Sequence, residues 1–177
     1  MIFLMFIILF SLHYPHIVQA LGITLSTDQC FMVTEFFEAD TLSGMLCTQG
    51  KFSEELVKPI ILQAASAFGY MHNLNMTHGD IKLGNLLYSK AGVLKVIDFG
   101  LAKKFRPGTL MRYRGGTKPF MSPEILQKKN YDGPAADVWA LGVVLHTLLR
   151  KKHPFKKKAL QVSNKIDGFI MIIIILI

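Results

Sequence analysis

Asp80, Lys82 and Asn85 lie close together in His78-Gly79-Asp80-Ile81-Lys82-Leu83-Gly84-Asn85, and Asp98-Phe99-Gly100 begins thirteen positions after Asn85. Leu86-Leu87-Tyr88, the turn-like Ser89-Lys90-Ala91-Gly92 and Val93-Leu94-Lys95-Val96-Ile97 separate them. Two apolar, partly β-branched runs around a glycine-containing turn predict a short hairpin. A hairpin returns its outer ends to one edge, so Asn85 and Asp98 are expected side by side, with Asp80 and Lys82 just upstream. The hard oxygens of Asn and Asp suit Mg²⁺, which takes few protein ligands and shares substrate phosphates. A lysine neutralises phosphate charge, and an aspartate orients or deprotonates a hydroxyl. Together these groups are the equipment of phosphoryl transfer.

Such a cluster needs rigid support on both sides. Ser53 to Asn73 is the clearest predicted helix. Ser53 is a good N-cap, Glu54 and Glu55 suit the positive end of the dipole, and Phe52 is placed to staple onto Val57. Leu56, Ile60, Ala64, Ala67 and Met71 recur at helical spacing and predict a buried stripe under the loop that follows. Pro59 falls in the second turn, where it favours a bend. A second helix, nearly all apolar, is expected from about Asp137 to Leu149. Ile17–Thr24 and Cys30–Phe36 read as strands around a turn at Ser26-Thr27-Asp28-Gln29.

The run from His78 to Asn85 resembles the catalytic loop of eukaryotic protein kinases, and Asp98-Phe99-Gly100 resembles their metal-binding triplet. Further matches follow in the family's order. Gly116-Thr117-Lys118-Pro119-Phe120-Met121-Ser122-Pro123-Glu124 resembles the end of an activation segment, Asp137-Val138-Trp139-Ala140-Leu141-Gly142 the start of the central C-lobe helix, and Pro154-Phe155 the motif beyond it. Leu12 to Val18 looks like the junction between the N-lobe helix and its next strand. The resemblance covers about residues 12–157. It leaves an apolar N-terminal segment, 1–11, and a basic-then-apolar tail, 158–177, unmatched. It implies an α+β, protein-kinase-like fold with partial N-lobe strands and a mainly helical C-lobe, incomplete at both ends. The phrasing from Asp132 to Leu145 is most similar to calmodulin-dependent and AMP-activated Ser/Thr kinases.

The resemblance also implies roles. Asp80 would be the catalytic base. Lys82, two positions on, marks Ser/Thr-directed kinases and would steady the transferred phosphoryl group. Asn85 and Asp98 would hold Mg²⁺, and Thr117 would bond the Asp80–Lys82 region and shape the acceptor site. Thr34 would be the gatekeeper of an adenine pocket. Backbone groups of Glu35 and Phe37 would meet the adenine edge, and Leu87 would form its floor. ATP and Mg²⁺ are the implied cofactors, and a protein with a Ser/Thr acceptor is the implied partner. His78 would pack beside Phe99 in an internal spine rather than move protons.

The departures from the family pattern bear on activity. Gly79 stands where many relatives have the Arg that pairs with an activation-loop phosphate, which puts that switching route in doubt. Leu83 stands for a usual Pro, Phe120 for Tyr and Ser122 for Ala. The Gly-rich loop, the third-strand Lys and the helix Glu that pairs with it, which in the family lie upstream of the position of Leu12, are not found, and the family's helices after Phe155 are unmatched, so Glu124 lacks the Arg that would pair with it. A charge buried without its partner is costly. Two functions follow: a truncated Ser/Thr kinase transferring the ATP γ-phosphoryl group, or a non-catalytic pseudokinase or scaffold fragment that binds partners.

Composition sets outer bounds. Hydrophobic residues make up 51% of the chain, raised by the uncharged runs at 1–10 and 169–177. Both are shorter than the roughly 20 residues a helix needs to span a bilayer, so membrane association is the weakest alternative. Val18-Gln19-Ala20 faintly resembles a signal-cleavage site, yet the start carries no positive charge. The final run reads as an aggregation-prone segment, a helix packed on the lobe or part of an anchor. Cys30 and Cys47 lack metal-ligand spacing and are expected as free thiols in a reducing, cytoplasmic or nuclear compartment. The net charge of +8 gathers at Lys103-Lys104-Phe105-Arg106, Arg112-Tyr113-Arg114, Arg150-Lys151-Lys152 and Lys156-Lys157-Lys158. These are solvated loops, a polyanion-binding patch or a nuclear localisation signal. No aromatic-interleaved basic pattern supports RNA binding, and no nucleic-acid partner is expected.

Overall fold

The computed structural model describes residues 8–26 and 29–155. Residues 8–11 are helical, and Ile8, Leu9 and Leu12 are at most 1% exposed in the main core. The upstream apolar run is therefore tied into the fold at its described end. β1 (Ala20–Leu25) and β2 (Cys30–Thr34) pair antiparallel. Ile17, expected in the first strand, instead makes an isolated parallel bridge to Val96, and Glu35 and Phe36 lie past the second. Thr27 and Asp28 of the expected turn lie outside the described residues; the Ser26 N–H donates to Gln29 O at 2.8 Å.

β3 (Asp40–Thr41) leads into α1 (Leu42–Gln49), which sequence periodicity missed. Thr41 caps this helix by accepting the Gly44 N–H at 3.1 Å. α2 (Glu54–Asn73) follows the predicted helix with Ser53 as its N-cap. Its buried face is wider than the predicted stripe: Val57, Ile61 and Phe68 join Ile60, Ala64, Ala67 and Met71, while Leu56 is only half-buried. A helix wedged into the middle of a lobe has neighbours on more than one side.

β4 (Met76–Thr77) pairs with β7 (Lys103–Lys104), and β3, β5 (Leu86–Tyr88) and β6 (Leu94–Val96) form an antiparallel sheet in that order, with β5 central. β5 and β6 are the predicted hairpin. Its turn closes with the Gly92 N–H on Ser89 O at 3.0 Å. Short α3 (Pro123–Leu126) precedes α4 (Gly133–Arg150). α4 starts four residues before the predicted Asp137, because Asp132 accepts the Ala135 N–H at 2.8 Å and Pro134 suits a first turn. α4 packs against α2, and the Phe52 N–H donates to Leu148 O at 3.0 Å. Among the described residues no helix is long and apolar enough to cross a membrane.

Candidate active site

α2, ending at Asn73, and β4 deliver the chain to His78. His78 is fully buried, 5.2 Å from Phe99 and edge-on to Phe68 at 5.8 Å between ring centroids. Its Nδ1 accepts the Asp80 N–H at 3.2 Å, so its Nε2–H is the donor to Ile97 O at 3.1 Å. That pair of bonds requires a neutral imidazole. Burial pushes its pKa below the ordinary value and outweighs the pull of Asp137, the Ile97 carbonyl, Asp80 and Asp98. The expected packing role beside Phe99 therefore has a geometric basis.

Asp80 is 8% exposed, and its carboxylate accepts three side-chain hydrogen bonds, which leaves acceptor capacity for one more. Thr117 Oγ1–H donates to its Oδ1 at 2.7 Å, and Lys82 Nζ and Asn85 Nδ2 donate to its Oδ2 at 2.5 and 3.3 Å. Lys82 Nζ also reaches Thr117 Oγ1 at 3.3 Å, and Asn85 Nδ2 donates to Asp80 O at 2.9 Å. Burial raises the Asp80 pKa, but the hydrogen bonds from Lys82 and Thr117 and the Lys82 charge outweigh it, holding the carboxyl below its usual range. It stays anionic at neutral pH and suits orienting a hydroxyl.

Thr117 comes from a segment distant in sequence, and two glycines allow the approach. Gly116, at φ +113°, passes so close that an added Cβ would sit 2.9 Å from Gly79 O. Gly79, at φ +76°, would place a Cβ 2.9 Å from Leu101 O. The hairpin does what its pattern predicts: the Ile97 N–H donates to Asn85 O at 3.0 Å, which sets Asp98 beside the Asn85 end. Asp98 is exposed in the left-handed region at φ +63°, and its Oδ1 accepts the Gly100 N–H at 3.3 Å. With its Nδ2 engaged, Asn85 has its amide oxygen left as an acceptor. One amide oxygen and one exposed carboxylate fit a Mg²⁺ shared with phosphates. No closed cage of three or more His, Cys, Asp or Glu occurs among the described residues.

The nucleotide-side candidates lie on β2, the segment after it and β5. Thr34 is half-buried at the end of β2, and Leu87 is half-buried in β5. Glu35 donates its N–H to Gln19 O at 2.9 Å, while its carboxylate accepts the Gln19 N–H at 2.8 Å and Lys95 Nζ at 2.7 Å. Burial raises the Glu35 pKa, but the Lys95 and Gln19 bonds bring it below the ordinary value. Lys95 Nζ also lies 5.5 Å from the Phe37 ring centroid. The stretch expected to meet adenine is thus clipped to the strand that leads into Asp98.

Sequence reasoning did not assign Asp137 a role, yet the catalytic loop depends on it. Asp137 is 4% exposed. Its Oδ2 accepts the His78 N–H and His72 Nε2 at 2.9 Å each, and its Oδ1 accepts the Gly79 N–H at 3.0 Å. A single carboxylate in an otherwise apolar helix was the available signal, since a buried charge must find donors. Glu124 corrects an expectation in the other direction: it is exposed, so it bears no penalty for lacking an Arg.

The protein kinase domain family matches residues 6–176. The chain belongs to the protein kinase family. It is 34% identical over 148 residues to sperm motility kinase 2B of Mus musculus, covering 84% of this chain and 31% of that protein. It is 35% identical over 144 residues to protein kinase kin1 of Schizosaccharomyces pombe (strain 972 / ATCC 24843), covering 81% and 16%. Serine/threonine-protein kinase kin-29 of Caenorhabditis briggsae is 31% identical over 148 residues, covering 84% and 18%. The chain thus spans a third or less of the length of these relatives. The match to a kinase domain accords with the partial α+β architecture described above.

Proposed function

We infer that the chain supplies the acceptor and metal-holding side of a Ser/Thr protein kinase, with ATP and Mg²⁺ as cofactors and a protein Ser/Thr hydroxyl as acceptor. The observation that carries this reading is the bonding of Asp80 to Lys82, Asn85 and Thr117 at once. Asp80 would orient the acceptor hydroxyl, and Lys82 would offset charge on the transferred group. The Asn85 and Asp98 oxygens would hold Mg²⁺, which supplies charge neutralisation when bound. The name of the kin-29 relative supports the Ser/Thr assignment.

The rival reading, a pseudokinase or scaffold fragment, draws on one feature: the 177 residues contain no match to the family's Gly-rich loop or to the phosphate-pairing Lys of the strand beyond it. Positioning and electrostatics supply nearly all catalysis in this chemistry, so the chain by itself is expected to transfer phosphate barely above background. The test compares the chain with a chimera carrying the N-lobe strands of a relative upstream, each with Mg-ATP and a Ser peptide. Transfer by the chimera that disappears in Asp98→Ala supports the kinase reading. A folded chimera with no transfer would favour the scaffold.

A further inference from the structure

The segment between Asp98 and Glu124 holds six cationic side chains, Lys103, Lys104, Arg106, Arg112, Arg114 and Lys118, and no acidic one. All but half-buried Lys103 are exposed. The ion pairs among the described residues are Lys82–Asp80, Lys95–Glu35 and His72–Asp137, so none of the six has a carboxylate partner there. Two are positioned by other contacts. Lys103 Nζ lies 3.9 Å from the Tyr113 ring centroid, and the Arg114 guanidinium donates to the carbonyls of Lys128 and Lys129. Folding therefore fixes cations in this segment without neutralising them.

The same segment forms the wall of the acceptor site. Thr117, bonded to Asp80, is followed directly by exposed Lys118. Asp80, Thr117, Lys103 and Tyr113 line one cleft with Gly79 and Met121. The loop from His78 to Asn85 offers Asp80 as its one carboxylate, and Gly84 is bare. Of the described carboxylates that follow the segment, Asp137 lines the same cleft but is occupied by His72 and the His78 and Gly79 N–H groups, Asp132 is occupied as the cap of α4, and Glu124 stands alone in α3. Glu38 and Asp40 line a different cleft, with Tyr88 and Lys90.

We propose that the acceptor site selects Ser/Thr hydroxyls flanked by acidic residues, whether Asp, Glu or a prior phosphoresidue. This rests on the kinase reading of the site and adds its substrate class. A peptide with carboxylates beside the acceptor would meet Lys103, which lines the cleft with Asp80, and exposed Lys118, the residue after Thr117. A basic peptide would meet like charge along the segment from 99 to 123, which carries no acidic residue.

The test is peptide binding, read apart from phosphate transfer. The full chain, carried as a fusion to a solubility partner, is titrated into fluorescent peptides with a central Ser flanked by Asp and Glu, by Gln and Ala, or by Arg. The acidic peptide is expected to bind about tenfold or more tighter than the neutral one in 0.1 M salt and to weaken as salt rises, with the Arg peptide weakest. Lys103→Gln with Lys118→Glu is expected to erase that order. Equal affinity for the three peptides, or an order unchanged in the double variant, overturns the proposal. An oligonucleotide that binds more tightly than the acidic peptide also overturns it, by marking a general polyanion surface. Acidic preference without transfer by the chimera would remove the kinase reading and leave the surface standing.

Discussion

Asp137 anchors the loop from His78 to Asn85, although no chemistry is expected of it. Its carboxylate accepts two backbone N–H groups of the catalytic loop and the His72 ring. Asp137→Ala leaves buried donors unpaired and is expected to cost about 3–5 kcal/mol in urea unfolding; a loss below about 1 kcal/mol would show that the loop stands without it. The pH dependence of stability follows from two depressed pKa values. The His78 pKa is lowered by burial, so protonation favours the unfolded chain. Its contribution is complete above about pH 6.5 and is lost as pH falls through the folded-state value. The Asp80 pKa is lowered despite burial, by Lys82 and Thr117. Its contribution is complete above about pH 4 and is lost as pH falls through its folded value. The urea midpoint is therefore expected to drop in two stages on acidification. The stage just below pH 6.5 should shrink in His78→Gln. Half-buried His153, whose pKa burial also lowers, leaves a residual slope. An unchanged first stage in His78→Gln would contradict the neutral assignment.

The two long helices, α2 and α4, frame the catalytic loop and start in different ways. Asp132 caps α4 through a charged bond of 2.8 Å, whereas Ser53 caps α2 through a hydroxyl at 3.4 Å. Caps contribute about 0.5–2 kcal/mol, and the shorter, charge-assisted one belongs at the upper end. Asp132→Ala is expected to destabilise more than Ser53→Ala, measured as urea midpoints of the two variants. The opposite ranking would mean that packing, not capping, sets the start of α4. The hairpin of β5 and β6 is the element closest to chemistry, because its last ladder bond, from the Ile97 N–H to Asn85 O, sets Asp98 at the site.

For the molecule as a whole, the core begins earlier than the motif match suggests. Ile8 and Leu9 are as buried as Leu86 or Val96 beneath the catalytic hairpin. Leu9→Ala is expected to cost about 2–5 kcal/mol. Trimming to residue 12 should lower thermal stability relative to trimming at residue 8, checked by melting both proteins. Equal melting temperatures would show that residues 8–11 do not support the core. Elsewhere the surface is apolar: Leu21, Leu25 and Phe36 are 62%, 71% and 90% exposed. Apolar surface gathered around β1 and β2 limits solubility, and trimming within residues 8–11 would add to it by uncovering the core.

The grouping of Asp80, Lys82, Asn85 and Asp98 was legible in sequence because its signals are local. Asp80, Lys82 and Asn85 fall in one loop, and the turn at Gly92 carries Asp98 back to Asn85. The buried stripe of α2 and its Ser53 cap follow from helical period and cap chemistry in the same way. The full width of the α2 core face, the early start of α4 and the short α1 were not legible. Each was set by a neighbour or cap that periodicity does not encode. The contacts that complete the site join distant residues. Thr117 meets Asp80 across 37 positions, Asp137 meets His78 across 59, and Lys95 meets Glu35 across 60. Residue types and spacing determined which polar groups share one loop and one hairpin, because neighbours along the chain stay neighbours in space. Tertiary structure alone decided which carboxylates are buried, because a buried charge is tolerable only where distant donors converge on it.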